Sequence, residues 1–158
     1  MLDPSCSFHE LGHVVALNYY GHAWLWVALD AVPGYGGWTC FETDPIPPFE
    51  RAVIAMAGSI AQARYLRREI AVAPGDREIA KDALAGLPDV SQFDGAAVVR
   101  TATEIVNANW PMIERGARAL LAAGRLSCDE VAKVLAAPAP GEWASLRWDG
   151  EPRSQRLF

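Results

Sequence analysis

The stretch "SFHELGHVVAL", residues 7–17, carries two histidines four positions apart, with a glutamate directly after the first. Side chains at this spacing lie one above the other on the same face of an α-helix, so His9 and His13 can reach one ion together. Neutral imidazole nitrogen is a good ligand for Zn²⁺, which takes about four ligands. The H-E-x-x-H pattern therefore predicts a zinc site on a helix.

Glu10 follows His9 and points to the neighbouring side of the helix, where it can reach a water ligand of the metal without being a ligand itself. Zinc lowers the pKa of such a water to about 7, and a glutamate can take its proton as the water attacks a carbonyl. We therefore expect Glu10 to be a general base. The alternative interpretation is a core helix whose histidines form only ordinary hydrogen bonds.

A catalytic zinc site needs a third protein ligand. His22 stands nine residues after His13, too far for the H-E-x-x-H-x-x-G-x-x-H pattern. Cys6, one turn before His9, is more typical of a core position. The segment "EIAKD", residues 78–82, imitates the glutamate-x-x-x-aspartate helix of thermolysin-like enzymes. The acidic candidates are Glu42, Glu50, Glu69, Asp76, Glu78, Asp82, Asp89 and Asp94. The chemistry of the residues alone leaves the choice among them open.

The composition is that of one globular domain, with 158 residues, 51% of them hydrophobic and 21% charged. The net charge is −5, and the only basic cluster, Arg64, Arg67 and Arg68, is typical of a solvated helix face, so no nucleic-acid footprint is apparent. The cysteines, Cys6, Cys40 and Cys128, are too scattered for a disulfide framework and favour a reducing, cytoplasmic setting. No signal peptide and no membrane span are apparent, so we expect a soluble protein.

The hydrophobic pattern predicts a mainly α-helical α+β fold. The first helix begins near Asp3 or Ser5 and ends at Gly21. Strands at 24–32 and 38–42 form a small β-hairpin or sheet, and residues 43–48 connect it to the next helix. The further helices are expected over 49–68, after a cap at Asp76, over 96–109, from about 111 to 123, and over 128–136 behind a Ser127–Glu130 capping box.

We expect the motif helix to lie at the centre of this fold, packed against the helix of residues 49–68. The domain is predicted to span residues 1–136. The tail of residues 137–158 is rich in proline and lacks periodicity, so it either packs on the domain or is partly disordered.

The order of the motifs resembles the peptidase domain of the FtsH family of ATP-dependent zinc metalloproteases. In that family the helix typically reads H-E-A-G-H-A, similar to "HELGHV" here. A following helix with G-G-R-x-A-E-E is matched loosely by "AGSIAQA", residues 57–63, and a zinc-binding aspartate in S-N-D-x-x-x-A is matched by "PGDREIA", residues 74–80. The resemblance covers about residues 8–136. It implies a zincin-like fold and Asp76 as the third zinc ligand, with Glu78 and Asp94 as runners-up.

The chain departs from this family at identifiable places. Gln62 stands where the family usually has glutamate, and no G-x-x-x-x-G-K-[ST] phosphate loop occurs. The resemblance therefore implies a freestanding peptidase domain that acts on small or unfolded polypeptides, or that works with a separate ATPase or adaptor partner.

Zinc peptidases often bind an extended substrate along an edge strand. We expect "GGWTCFE", residues 36–42, to be that strand, with Trp38 or Phe41 lining a pocket; the alternative is that both aromatic side chains belong to the core.

The leading hypothesis is a zinc-dependent endopeptidase in which Glu10 activates water. One alternative is a catalytically weak or inactive pseudo-peptidase that keeps the zinc ligands His9, His13 and Asp76 but serves as an interaction module. A second alternative is a metal-free regulator in which both histidines are structural.

Overall fold

The computed structural model describes residues 3–29, 36–41, 45–85 and 95–136. The helices in these ranges are α1 (Pro4–Tyr20), α2 (Pro48–Leu66), α3 (Pro74–Ala85), α4 (Gly95–Ala108), α5 (Trp110–Ala123) and α6 (Cys128–Ala136). The strands are β1 (Trp24–Ala28), β2 (Trp38–Phe41) and β3 (Arg125–Ser127). The predicted mainly helical α+β class is confirmed. None of the helices in the described ranges combines the length and apolar character needed to cross a membrane.

Helix α1 begins and ends at residues with strong capping chemistry. The Asp3 carboxylate accepts a hydrogen bond from the backbone N–H of Ser5 at 2.8 Å, and Pro4 occupies the first turn. Gly21 ends the helix in the left-handed region at φ 77°, a conformation that glycine adopts without steric cost. Both predicted ends of the motif helix are therefore confirmed.

Helix α1 lies at the centre of the domain, in contact with α2, α4, α5 and the sheet. Its side chains Leu11, Val14 and Leu17 are fully buried. A Cβ atom at Gly12 would lie 2.5 Å from the carbonyl oxygen of Ala57, so α1 and α2 pack more closely than any side chain there would allow. The predicted central position of α1 against α2 is confirmed.

The three strands form an antiparallel sheet in the order β2-β1-β3, with Trp26 opposite Cys40 on one side and Ser127 on the other. Strand β2 is therefore an edge strand, as predicted. Strand β3 is missing from the sequence prediction because its three residues are too short to show a period-2 pattern. Strand β1 ends at Ala28, before the predicted end, and residues 30–32 and 42–44 lie outside the described residues.

The prediction that Asp76 caps α3 is wrong. The helix already begins at Pro74, a favoured first-turn residue, so Asp76 lies inside the first turn. At the other end of the chain, the predicted Ser127–Glu130 capping box is confirmed, because the Glu130 carboxylate accepts from the Ser127 backbone N–H at 2.8 Å. The tail of residues 137–158 and the segment 86–94 lie outside the described residues.

Candidate metal centre

Three side chains predicted as metal ligands converge between α1 and α3. The Nε2 atoms of His9 and His13 are 3.1 Å apart. His9 Nε2 is 3.2 Å from Oδ2 of Asp76, and His13 Nε2 is 3.5 Å from Oδ1 of the same carboxylate. In the described ranges, this is the one group of three or more His, Cys, Asp or Glu side chains close enough to share an ion.

These separations match the dimensions of a tetrahedral zinc site. Ligand atoms about 2.0–2.1 Å from a tetrahedral zinc ion lie about 3.3 Å from one another. The two imidazole nitrogens are 3.1 Å apart, and the nearest Asp76 oxygen lies 3.2 Å from His9 (Oδ2) and 3.5 Å from His13 (Oδ1), all close to that value. Two imidazole nitrogens and one carboxylate oxygen are also a donor set that zinc accepts while a fourth position stays open. The residues present therefore fit zinc in both chemistry and spacing.

His13 is held in the orientation and tautomer that a metal ligand needs. Its Nδ1–H donates to the backbone carbonyl of Ile54 at 2.8 Å, which leaves a lone pair on Nε2, the atom that faces His9 and Asp76. A Cβ atom at Gly58 would lie 2.4 Å from this Nε2. Helix α2 thus holds the imidazole through the Ile54 carbonyl, and the absence of a side chain at Gly58 leaves space for the ring.

The imidazole of His9 is oriented by Gln62 on α2, which in turn hydrogen-bonds to Ser5 on α1. Gln62 on α2 hydrogen-bonds the imidazole, and its Nε2 donates to the hydroxyl of Ser5 at 3.0 Å. The rings of His9 and His13 meet edge to face, with their centroids 4.7 Å apart. Gln62 stands where the FtsH-like pattern has glutamate. Its amide therefore orients a candidate ligand.

Asp76 is held by a buried serine, Ser59, which the sequence did not single out as a site residue. The Ser59 hydroxyl donates to Oδ2 of Asp76 at 3.0 Å and accepts from the backbone N–H of Ala73 at 3.0 Å. Only 1% of Ser59 is exposed. The sequence does contain a signal for this role. Ser59 is a polar side chain on an otherwise apolar helix face, and a buried hydroxyl requires a hydrogen-bond partner.

The pKa shifts of His9 and Asp76 indicate that a proton would compete with a metal ion for these side chains. Burial lowers the pKa of His9, but the hydrogen bond and charge of Asp76 outweigh burial and raise it above its ordinary value. Burial raises the pKa of Asp76, and the hydrogen bond from His9 with the nearby imidazoles reverses this and lowers it. Without metal, the two side chains therefore favour a charged, hydrogen-bonded pair, from which zinc must displace a proton.

Glu10 lies beside the three ligands and is 5% exposed. The Thr39 hydroxyl donates to its Oε2 at 2.7 Å. A Cβ atom at Gly37 would lie 2.7 Å from the Glu10 Cγ, so β2 crosses directly over this side chain. Within the described part of the chain, the second oxygen, Oε1, has no hydrogen-bond partner. One carboxylate oxygen is thus fixed and the other is available to accept a proton.

A cleft of about 290 Å³ opens from Glu10, His13 and Asp76. Its remaining walls are mostly apolar, and the largest of these side chains are Leu17, Trp38, Ile46, Ile54 and Ile79. Trp38 is 54% exposed, so the expectation that it lines a pocket is confirmed and the alternative of a core position is wrong. The side chain of Phe41 lies outside the described residues.

The other ligand candidates lie elsewhere. His22 pairs with Glu50 across 2.6 Å at the junction of α1 and α2. Cys6 packs against the core, and the runner-up Glu78 is exposed on α3, away from the cluster. Glu69 and Asp82 are also exposed, whereas Glu42, Asp89 and Asp94 lie outside the described residues.

No protein-family model matches this sequence, and no curated protein is significantly similar to it. Function is therefore inferred from the chemistry and geometry of the site itself.

Proposed function

We propose that this chain is a zinc-dependent peptidase that hydrolyses peptide bonds of small or unfolded polypeptides. His9, His13 and Asp76 hold the metal, and Glu10 is the general base. The observation that carries the proposal is the position of Glu10. It lines the same cleft as the candidate ligands His13 and Asp76, with one oxygen hydrogen-bonded to Thr39 and the other without a partner among the described residues. A site that only bound metal would not need this carboxylate.

The residues of the site divide the chemistry of hydrolysis among them. Zinc, when bound, polarises the substrate carbonyl and lowers the pKa of a water molecule to about 7. Oε1 of Glu10 would take the proton of the attacking water as the water oxygen bonds to the carbonyl carbon. The peptide C–N bond then breaks, and Glu10 returns the proton to the departing amine nitrogen. The Thr39 hydroxyl keeps the carboxylate aimed at the reacting atoms throughout.

The cleft and the edge strand suit an extended polypeptide. Strand β2 has one edge unpaired in the described sheet and contributes Trp38 and Thr39 to the cleft, next to Gly37 just before it. A substrate strand can add to such an edge through main-chain hydrogen bonds while its side chains enter apolar pockets. This mode requires an unfolded segment, which supports small or unfolded polypeptides as substrates and a separate ATPase or adaptor as the partner that supplies them.

The resemblance to the FtsH-like peptidase domain agrees with this proposal in the motif helix, the third ligand and the general base.

The cysteines Cys6, Cys40 and Cys128 are all free thiols. Free thiols persist in a reducing compartment, and on this basis we place the protein in the cytoplasm.

The test combines metal analysis with hydrolysis of unfolded casein. We expect one zinc per chain in the wild-type protein and in Glu10→Gln, and measurable hydrolysis only in the former. Glu78→Gln removes an exposed carboxylate from the helix that carries Asp76 and serves as the matched control, with unchanged zinc content and rate.

Two outcomes contradict the proposal. Zinc-loaded wild-type protein that cleaves casein no faster than Glu10→Gln would identify a pseudo-peptidase. Zinc content that is unchanged by His13→Ala would show that the histidines serve a structural role.

A further inference from the structure

Arg51 is the single basic side chain among the described residues that line the cleft. It is the fourth residue of α2, and its side chain is exposed. Because Ile54 and His13 line the same cleft, the guanidinium shares a continuous space with the candidate metal centre. The proposed chemistry of hydrolysis does not use this charge.

The position of Arg51 is electrostatically unfavourable for the helix. The N-terminal turn of a helix carries a partial positive charge, so a basic residue there is repelled. No described residue forms an ion pair or hydrogen bond with the guanidinium, and the adjacent Glu50 carboxylate pairs instead with His22 at 2.6 Å. The positive potential of the helix end and that of the arginine therefore add, and both favour an anion in the cleft.

The cleft has three chemically distinct zones along α2. Arg51, Ile54 and Gly58 follow one another at helical spacing on one face, and Gly58 lies against the His13 imidazole. The seven helical steps from Arg51 to Gly58 span about 10 Å of helix. Between the two ends, the walls are apolar. A ligand that fills this cleft therefore meets the metal centre, then an apolar surface, then a cation.

We propose that Arg51 is a specificity-determining residue that binds a carboxylate of the peptide, while a large apolar side chain occupies the zone between Arg51 and the metal centre. The inference rests on the proposed peptidase function. A guanidinium recognises a carboxylate with two parallel hydrogen bonds. A distance of about 10 Å corresponds to roughly three residues of extended chain. The carboxylate is therefore the C-terminus or an acidic side chain about two or three residues from the scissile bond.

Binding is measured separately from turnover, by fluorescence anisotropy with zinc-loaded Glu10→Gln protein. Three labelled peptides share one sequence with a phenylalanine near the C-terminus. One ends in a free carboxylate, one in an amide, and one in an aspartate followed by an amide. We expect the free acid, the aspartate peptide or both to bind about fivefold more tightly than the plain amide at low salt. The peptide that gains affinity identifies the source of the carboxylate.

Variants of the arginine decide whether the preference belongs to this residue. In the Glu10→Gln background, Arg51→Gln should bind all three peptides equally, and Arg51→Lys should keep part of the preference. Arg118→Gln removes one positive charge from an exposed position on α5, outside the cleft, and should keep all of it. Equal binding of the three peptides by protein with Arg51 intact, or a preference that survives Arg51→Gln, overturns the proposal.

A failure of the peptidase function gives a different result, because the binding comparison needs no hydrolysis. If wild-type protein cleaves the peptides, Arg51→Gln should raise KM for the preferred peptide and leave kcat unchanged. A fall in kcat with every peptide, without a selective change in KM, would mean that Arg51 is structural and would also overturn the proposal.

Discussion

The hydroxyl of Ser59 joins Asp76 to the backbone of Ala73, with 3.0 Å to the carboxylate and 3.0 Å from the amide nitrogen. This one buried side chain therefore sets both the start of α3 and the direction of the candidate ligand that α3 carries. The candidate metal centre is built by α1 and α3, but α2, which supplies none of the candidate ligands, positions His13 through the Ile54 carbonyl and Asp76 through Ser59.

Ser59→Ala should lower zinc affinity by about tenfold, because hydrogen-bonding partners of metal ligands typically contribute that much. It should also lower the free energy of unfolding of the metal-free protein by about 1–3 kcal/mol, since the Ala73 amide loses its acceptor. Competition with a chromogenic chelator and urea unfolding measure the two effects. Ser7→Ala is the control, because Ser7 is equally buried and, among the described residues, its hydroxyl hydrogen-bonds to the Pro4 carbonyl rather than to a candidate ligand. Equal zinc affinities for both variants would argue against the role of Ser59.

Gly58→Ala should abolish tight zinc binding. The added Cβ would lie 2.4 Å from Nε2 of His13, well inside contact distance, so the imidazole must move away from the other ligands. Gly95→Ala places the same methyl group at the start of α4, where no described atom beyond the local backbone lies within 4 Å, and should bind zinc normally. Zinc content after dialysis distinguishes the two, and full zinc retention by Gly58→Ala would contradict the geometry of the centre.

Zinc affinity should fall as the pH falls through the raised pKa of His9, because the proton and the metal compete for the same nitrogen. Since the pKa is raised, this loss begins at a higher pH than for an ordinary histidine. Isothermal titration at several pH values measures both the affinity and the number of protons released. Binding that releases no proton near the pKa of His9 would contradict the predicted competition.

The metal-free protein should show the opposite pH dependence in its stability. The raised pKa of His9 stabilises the fold fully below 6.5, the ordinary value, and this contribution is lost as the pH rises through the raised pKa. The lowered pKa of Asp76 stabilises the fold above 3.8 and is lost as the pH falls through the lowered value. Urea unfolding should therefore show a maximum between 3.8 and 6.5. Asp76→Asn should flatten that maximum, whereas Asp82→Asn, on the exposed side of α3, should preserve it.

Thr39→Val should lower kcat for peptide hydrolysis by about tenfold and leave the zinc content unchanged. The substitution keeps the shape of the side chain but removes the donor to Glu10 Oε2, so the general base loses its orientation. Thr39→Ser retains a hydroxyl and should recover most of the rate. A Thr39→Val variant with the wild-type kcat would show that Glu10 is positioned by other contacts.

Local signals in the sequence predict the motif helix and much of the secondary structure. Asp3 and Gly21 define the two ends of α1 through hydrogen-bonding and backbone preferences that act within a few residues. The spacing of His9 and His13 places both imidazoles on one face because the helical repeat is the same in every helix. The Ser127–Glu130 capping box is equally local. These features need no knowledge of the neighbouring elements, and the structure agrees with them.

Only the tertiary structure brings Asp76, Thr39 and Arg51 to the cleft. The residues themselves left eight acidic candidates for the third ligand open, and the resemblance alone pointed to Asp76. Asp76 reaches the histidines because α2 packs against both α1 and α3, through contacts that are distant in sequence. Thr39 meets Glu10 because the chain passes over this side chain at Gly37, directly before β2. Helical period and capping are properties of short segments, whereas the distances between elements depend on how closely whole helices and strands pack.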